Sequence, residues 1–172
     1  MRTLSDAFRR NDPNHLNLGI GFRPGTPPEI GALGRLFDVD SLDLVTDEPA
    51  ADVAAAAKAT GKPVMVSRFA FGVPHEGLAP AGIAVPDQKA RGYEYRYYLE
   101  QVAANPDAVG ALWPQLVDDP VLGDSFGRNE NSGFIDGQDR PYWDFVDAVR
   151  EANRGWIKIH SGKVKPMTRP KE

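Results

Sequence analysis

Several stretches of this sequence bring together side chains able to do chemistry. Arg68 follows the apolar run Val64-Met65-Val66, Trp113 and Gln115 follow a second such run, and Asp47-Glu48 and Asp118-Asp119 are adjacent carboxylate pairs. Arg128-Asn129-Glu130-Asn131 adds a polar cluster, and Glu76 stands alone in a Gly/Pro-rich stretch. Carboxylates serve as general acids, bases and nucleophiles. An arginine fork pairs with a carboxylate or sulfate, and an indole offers a flat apolar face for stacking.

Each of these residues also has a plainer reading. Arg68 suits an ion pair with Asp47, Glu48 or Glu76, and Trp113 suits a core or a subunit interface. Gln115, Asn129, Glu130 and Asn131 suit the bracing of long loops through turn hydrogen bonds. His15, His75 and His160 lack metal-ligand spacing, and with no cysteine in the chain no metal centre is expected.

The elements that must position these residues alternate in type. A helix over 2–10, with Leu4, Ala7 and Phe8 on one face, stops at Asp12-Pro13. Strands are expected at 16–22, 40–46, 64–69 and 109–116. Thr26, with Pro27 and Glu29 after it, starts a helix to about position 36. An alanine-rich helix over 50–60 ends at the Gly61-Lys62-Pro63 turn. Asp87 caps a helix to about 105, with Tyr93, Tyr97, Leu99 and Val102 as its inward face, and a last helix fills 141–153. The remainder, 155–172, reads as a tail with a short extended piece at 156–160 and then a frayed, solvated end.

Strands alternating with helices give a parallel sheet wound in βα units. No Gly-x-Gly-x-x-Gly follows a strand and no Walker loop is present, so neither a nucleotide nor any other cofactor is expected. The polar residues gather instead at the carboxyl ends of strands (Arg23, Asp47, Glu48, Arg68, Trp113, Gln115, Asp118), where a β/α barrel carries its site. The long segments 72–86 and 118–139 follow two of these strands, and loops of that length tend to be functional.

Composition narrows the partners. The chain has 172 residues, 41% hydrophobic and 26% charged, with a net charge of −4, an ordinary globular balance that disfavours nucleic acid. No apolar run reaches membrane-spanning length and residues 1–10 have no signal-peptide core, so a soluble chain without membrane contact is expected, its compartment open.

Taken in order, Asp12-Pro13-Asn14-His15-Leu16, Phe69-Ala70-Phe71-Gly72, Trp113-Pro114-Gln115, Arg128-Asn129-Glu130-Asn131 with Gly133-Phe134, and Pro141-Tyr142 resemble β-agarases and related β-galactosidases. The resemblance runs from Asp12 to about Asn153 and implies half of a (β/α)8 TIM barrel, four parallel strands corresponding to strands 5 to 8. Residues 1–154 then form the half-barrel and 155–172 the tail. Such retaining enzymes use two carboxyl groups about 5 Å apart. In the resembled family the nucleophile Glu lies in Ser-Glu-Phe at the end of strand seven; here the pattern is Ser67-Arg68-Phe69, and the acid/base strand is missing. A guanidinium keeps its proton and cannot attack an anomeric carbon.

The resemblance and the arginine at position 68 together imply a carbohydrate-related half-barrel with weak or lost hydrolase activity. Arg68, Trp113, Gln115, Asn129, Glu130 and Asn131 are its candidates for binding a galactose-containing oligosaccharide. Two alternatives stand beside it: an active galactan or agarose glycosidase that uses Glu76, Asp118 or Glu130 or a separate amino-terminal half, and a gene fragment without a ligand. Open sheet edges predict a two-fold homodimer that closes eight strands into one barrel.

Overall fold

The computed structural model describes residues 1–26, 32–74 and 77–169. Helix α1 (Arg2–Asn11) leads into β1 (Gly21–Phe22); a 3-10 turn (Ala32–Leu36) precedes β2 (Asp40–Asp43), and α2 (Ala50–Thr60) links it to β3 (Val64–Arg68). Short strands β4 (Phe71–Gly72), β5 (Ala79–Pro80) and β6 (Ile83–Ala84) precede helix α3 (Gln88–Ala103). Strand β7 (Ala108–Ala111), β8 (Glu130–Asn131) and helix α4 (Trp143–His160) complete the order.

The main sheet is four-stranded and wholly parallel, in the order β1-β2-β3-β7. Its register follows from side-chain alternation: Leu42, Leu44, Val64, Val66 and Ala108 face the helices, where they meet Val53, Ala57, Tyr98, Val102, Phe145 and Val149 in one core. Ser41, Asp43, Met65 and Ser67 take the alternate positions and belong to the other face. The strands are shorter than their hydrophobic pattern: 16–20 pairs with no strand and leaves Leu16, Leu18 and Ile20 exposed, and β7 stops at Ala111.

The segments after β3 and β7 are not irregular throughout. Strands β4 and β6 pair in parallel within the first, and β5 pairs with β8 across the two. These pairings tie both strand-end segments into one unit.

Sequence signals locate the helix ends well. Asp87 Oδ1 accepts the Ala90 amide at 2.7 Å, a true N-cap. Gly61 closes α2 in the left-handed conformation, φ 65°, its amide bonded to Ala57 O. The expected cap with Pro27 and Glu29 lies outside the described residues; Thr26 itself bonds back to Arg23, closing the loop after β1.

Three expectations need correction. Tyr93 is exposed, whereas Arg91, Tyr95 and Tyr98 are buried with Tyr97, Leu99 and Val102, because α3 is enclosed by the sheet on one side and α4 on another. The 156–160 piece is helical: Phe145, Val149, Ala152 and Ile159 keep a three-four spacing that carries α4 through position 155 to His160. The described part of the tail, to Arg169, is held rather than frayed. Met167 N donates to Glu100 Oε2 at 2.7 Å, and Arg169 lies over the Tyr97 ring while bonding Glu94 (2.6 Å), Glu48 (3.1 Å) and Asp47 (3.2 Å). Helix α1 forms where expected; it keeps Leu4 and Phe8 exposed and anchors through Ser5 Oγ on Leu36 O and Arg9 on Asp38.

Gly92 sets the spacing of α3 and α4. A Cβ there would sit 2.7 Å from Ala148 Cβ and 3.1 Å from Asp144 O, neither of which can swing away. In an exposed helix Gly→Ala gains about 1 kcal/mol. Here overpacking reverses the sign, so Gly92→Ala should destabilise by about 1–3 kcal/mol in urea denaturation; a stabilised variant would show that the helices can separate freely.

Candidate functional site

At the carboxyl ends of β2 and β3 the register places Asp43 directly across from Arg68. Arg68 Nε donates to Asp43 Oδ1 at 3.0 Å, and Arg23, from the loop after β1, donates through Nε to Asp43 Oδ2 at 2.9 Å. Both arginines are largely exposed, while the Asp43 side chain is only 18% so. Burial raises the Asp43 pKa, but the hydrogen bonds and charges of the two arginines outweigh it and hold the carboxyl below its ordinary range.

Asp43 was not among the partners expected for Arg68. A small register shift after Leu42 brings Asp43 level with Arg68, whereas Asp47 and Glu48 turn toward the helices. There Glu48 accepts Tyr97 OH at 2.8 Å and both acids hold Arg169. Glu76 and His75 lie outside the described residues.

The second centre lies between the two long segments and is organised by a residue that sequence reasoning missed. Arg91 is fully buried. Its Nε donates to Phe71 O (2.7 Å), its Nη1 to Gln88 Oε1 (3.2 Å) and Asn131 Oδ1 (3.3 Å), and its Nη2 to Asn131 O (3.4 Å). Its planar group packs 4.3 Å from the Phe145 ring centroid and 5.3 Å from that of Trp113. Burial lowers its pKa to about 10, against the opposing pull of Asp118, so it stays a cation at neutral pH. The only sequence signal is an arginine one turn inside a helix otherwise rich in tyrosine.

Asn131, also fully buried, relays this charge. Its Oδ1 accepts Val73 N (3.1 Å) as well as Arg91, and its Nδ2 donates to Asp118 Oδ2 (2.7 Å). Asp118 further accepts Tyr142 OH and Gly133 N, each at 2.6 Å. Burial first, then Asp118, pushes the Tyr142 hydroxyl pKa strongly up, so the phenol remains a donor. Asp119 accepts Gln115 Nε2 (2.7 Å) and Glu130 N (3.1 Å).

The expected binding residues are therefore not gathered in one place. Trp113 donates Nε1–H to Ser132 O at 2.7 Å and packs against Phe69, Tyr95, Phe134 and Phe145. Gln115 and Asn131 brace backbone and carboxylates, and Asn129 makes one long bond to Gly77 O at 3.4 Å. Asp118 and Asp119 front a cavity of about 430 Å³ with Tyr142, Leu78, Val121 and Arg140. Among the described residues, no group of three potential metal ligands converges and no helix is long and apolar enough to cross a membrane.

A parallel βα sheet with two long segments braced at its strand ends is the layout of part of a glycoside hydrolase. Its relatives agree. The chain is 34% identical over 162 residues to β-agarase A and 35% identical over 158 residues to β-agarase B, both of Vibrio sp. (strain JT0107), alignments covering 89% and 88% of it. The solved structure of an exo-β-agarase superimposes with a TM-score of 0.85 at 32% identity, covering 92% of this chain and 22% of that one. No family model matches. The chain is thus a homologue of the β-agarases along nearly its whole length, and it spans about a sixth (16%) of the curated relatives it matches.

Two outcomes test this geometry. Replacing Arg91 by Leu, or Asn131 by Leu, should each cost about 3–5 kcal/mol in urea denaturation, because either change strands a buried partner. The double variant should cost clearly less than the sum. Asp43, whose carboxyl is held below its ordinary range, contributes stability above that range and loses it as pH falls through the depressed value. Wild type should therefore lose stability more steeply in acid than Asp43→Asn.

Proposed function

We propose that this chain is a β-agarase-derived half-barrel that binds a galactose-containing oligosaccharide at its strand ends and has lost retaining hydrolysis. The observation that carries the reading is Arg68, a permanent cation ion-paired to Asp43, at the strand-end position where the resemblance expects a nucleophilic carboxylate. Among the carboxylates that could replace it, both Asp43 oxygens hold arginines, and Asp118 and Asp119 are buried acceptors for neighbouring donors, which leaves Glu130 as the described candidate to test. Kinship with β-agarases at 34–35% identity supports the sugar class.

The chain should release no reducing ends from agarose or from an aryl galactoside, and Arg68→Glu should restore none. Agarose oligosaccharides should raise its thermal midpoint, since a ligand of the folded state stabilises it by mass action. Hydrolysis abolished by Glu130→Gln would favour the active-enzyme reading instead. No shift with any galactan would favour a fragment without a ligand.

In this reading two copies associate about a two-fold axis, β1 of one beside β7 of the other, so that eight strands close. The support is local. Strands β1 and β7 are the outer strands of the sheet, and Leu16, Leu18 and Ile20 near one, with Val109, Leu112 and Leu116 near the other, are exposed. Unpaired strand edges flanked by apolar side chains invite pairing. Light scattering should give twice the protomer mass at micromolar concentration and a single protomer mass for Leu112→Lys; a stable wild-type monomer overturns the closed pair.

A further inference from the structure

The Arg23-Asp43-Arg68 group has more donors than it uses. Each arginine meets Asp43 through Nε alone, and none of the four Nη nitrogens has a partner among the described residues. One carboxylate between two guanidiniums leaves a net charge of +1, with the Asp43 pKa depressed and both arginines more than half exposed. Tethering by Nε restrains two flexible side chains, so less freedom remains to be lost when the Nη edges engage a ligand. Beside them Gly21 lies close against two side chains: a Cβ there would meet Ser67 Oγ at 2.8 Å and Asp43 Cβ at 3.5 Å. Ser67 Oγ is itself committed to Leu42 O. The unfilled demand at this spot is for an anion with two or more oxygens.

From this geometry we infer that Arg23 and Arg68 form a paired fork for an anionic substituent, a carboxylate or sulfate ester, carried by a saccharide. The saccharide part rests on the proposed carbohydrate function; the anion part rests on the free Nη edges. The fork would select acidic galactans over neutral ones. Asp43 is a positioning residue, holding the two cations together against their repulsion.

Titration calorimetry at low salt, with the full chain, tests this using three probes: a neutral agarose oligosaccharide, a sulfated or uronate-bearing galactan oligosaccharide of equal length, and inorganic sulfate. The acidic oligosaccharide should bind about tenfold tighter than the neutral one, as expected for charge-assisted hydrogen bonds. The advantage should shrink as salt screens the exposed charges. Arg68→Ala and Arg23→Ala should each remove most of it while leaving the thermal midpoint near wild type, and Arg68→Lys should restore it only in part. Equal affinity for neutral and acidic oligosaccharides, unchanged in Arg68→Ala, overturns the fork and leaves the carbohydrate reading standing. Inorganic sulfate binding as tightly as the acidic oligosaccharide overturns the saccharide ligand. Absence of binding by all three overturns both.

Discussion

A guanidinium with none of its surface exposed must be met by acceptors on its donors and by something soft on its faces. Arg91 is met in both ways, by Phe71 O, Gln88 and Asn131 around its edge and by Phe145 and Trp113 against its plane. Those partners come from α3 itself, the segment after β3, the segment after β7, and α4. Removing a charge from water costs several kcal/mol unless geometry and hydrogen bonding offset it. The four elements therefore hold one mutual arrangement, and Asn131 carries the constraint on to Asp118, Tyr142 and the Gly133 amide.

This arrangement governs what remains for chemistry at the strand ends. Asp118, Asp119, Gln115 and Asn131 are consumed in fixing the long segments, and Trp113 is drawn into the aromatic cluster by Phe69, Tyr95 and Phe145. At the ends of β2 and β3 the polar group that faces outward is Arg23-Asp43-Arg68. Its chemistry is electrostatic: an acid held ionised between two cations accepts no proton near neutral pH. Kinship with β-agarases and a cation at the end of β3 thus coexist in one fold.

The helix layer shows how narrowly the packing is set. Gly92 lets α3 and α4 approach until nothing larger than hydrogen fits against Ala148, and Arg169 pins the end of the described chain onto Tyr97 through three carboxylates. All this packing lies on one face of the sheet. The opposite face carries Ser41, Met65 and Ser67.

Much of the architecture was legible in the sequence because it depends on local patterns. The alternation of short apolar runs with helix signals gave parallel βα units, Asp87 and Gly61 marked helix ends through capping chemistry, and the ordered motifs from Asp12 to Tyr142 pointed to the β-agarases. The ends of strands and helices were less legible: 16–20 has strand periodicity without a pairing neighbour, and α4 runs past Gly155 because its buried positions continue. Arg91 gave almost no signal, since a buried and an exposed arginine look alike until the elements around them meet. The partner of Arg68 was likewise decided by a register shift between β2 and β3, and that of Asn131 by the meeting of two segments far apart in the chain. Sequence by itself determined the alternation of the main strands with helices and the likeness to the β-agarases, because capping and periodicity act over a few residues and the motifs stand in order along the chain. Tertiary structure alone decided which polar groups are consumed in holding the loops and which remain free, because burial and pairing are properties of neighbours that the chain order does not contain.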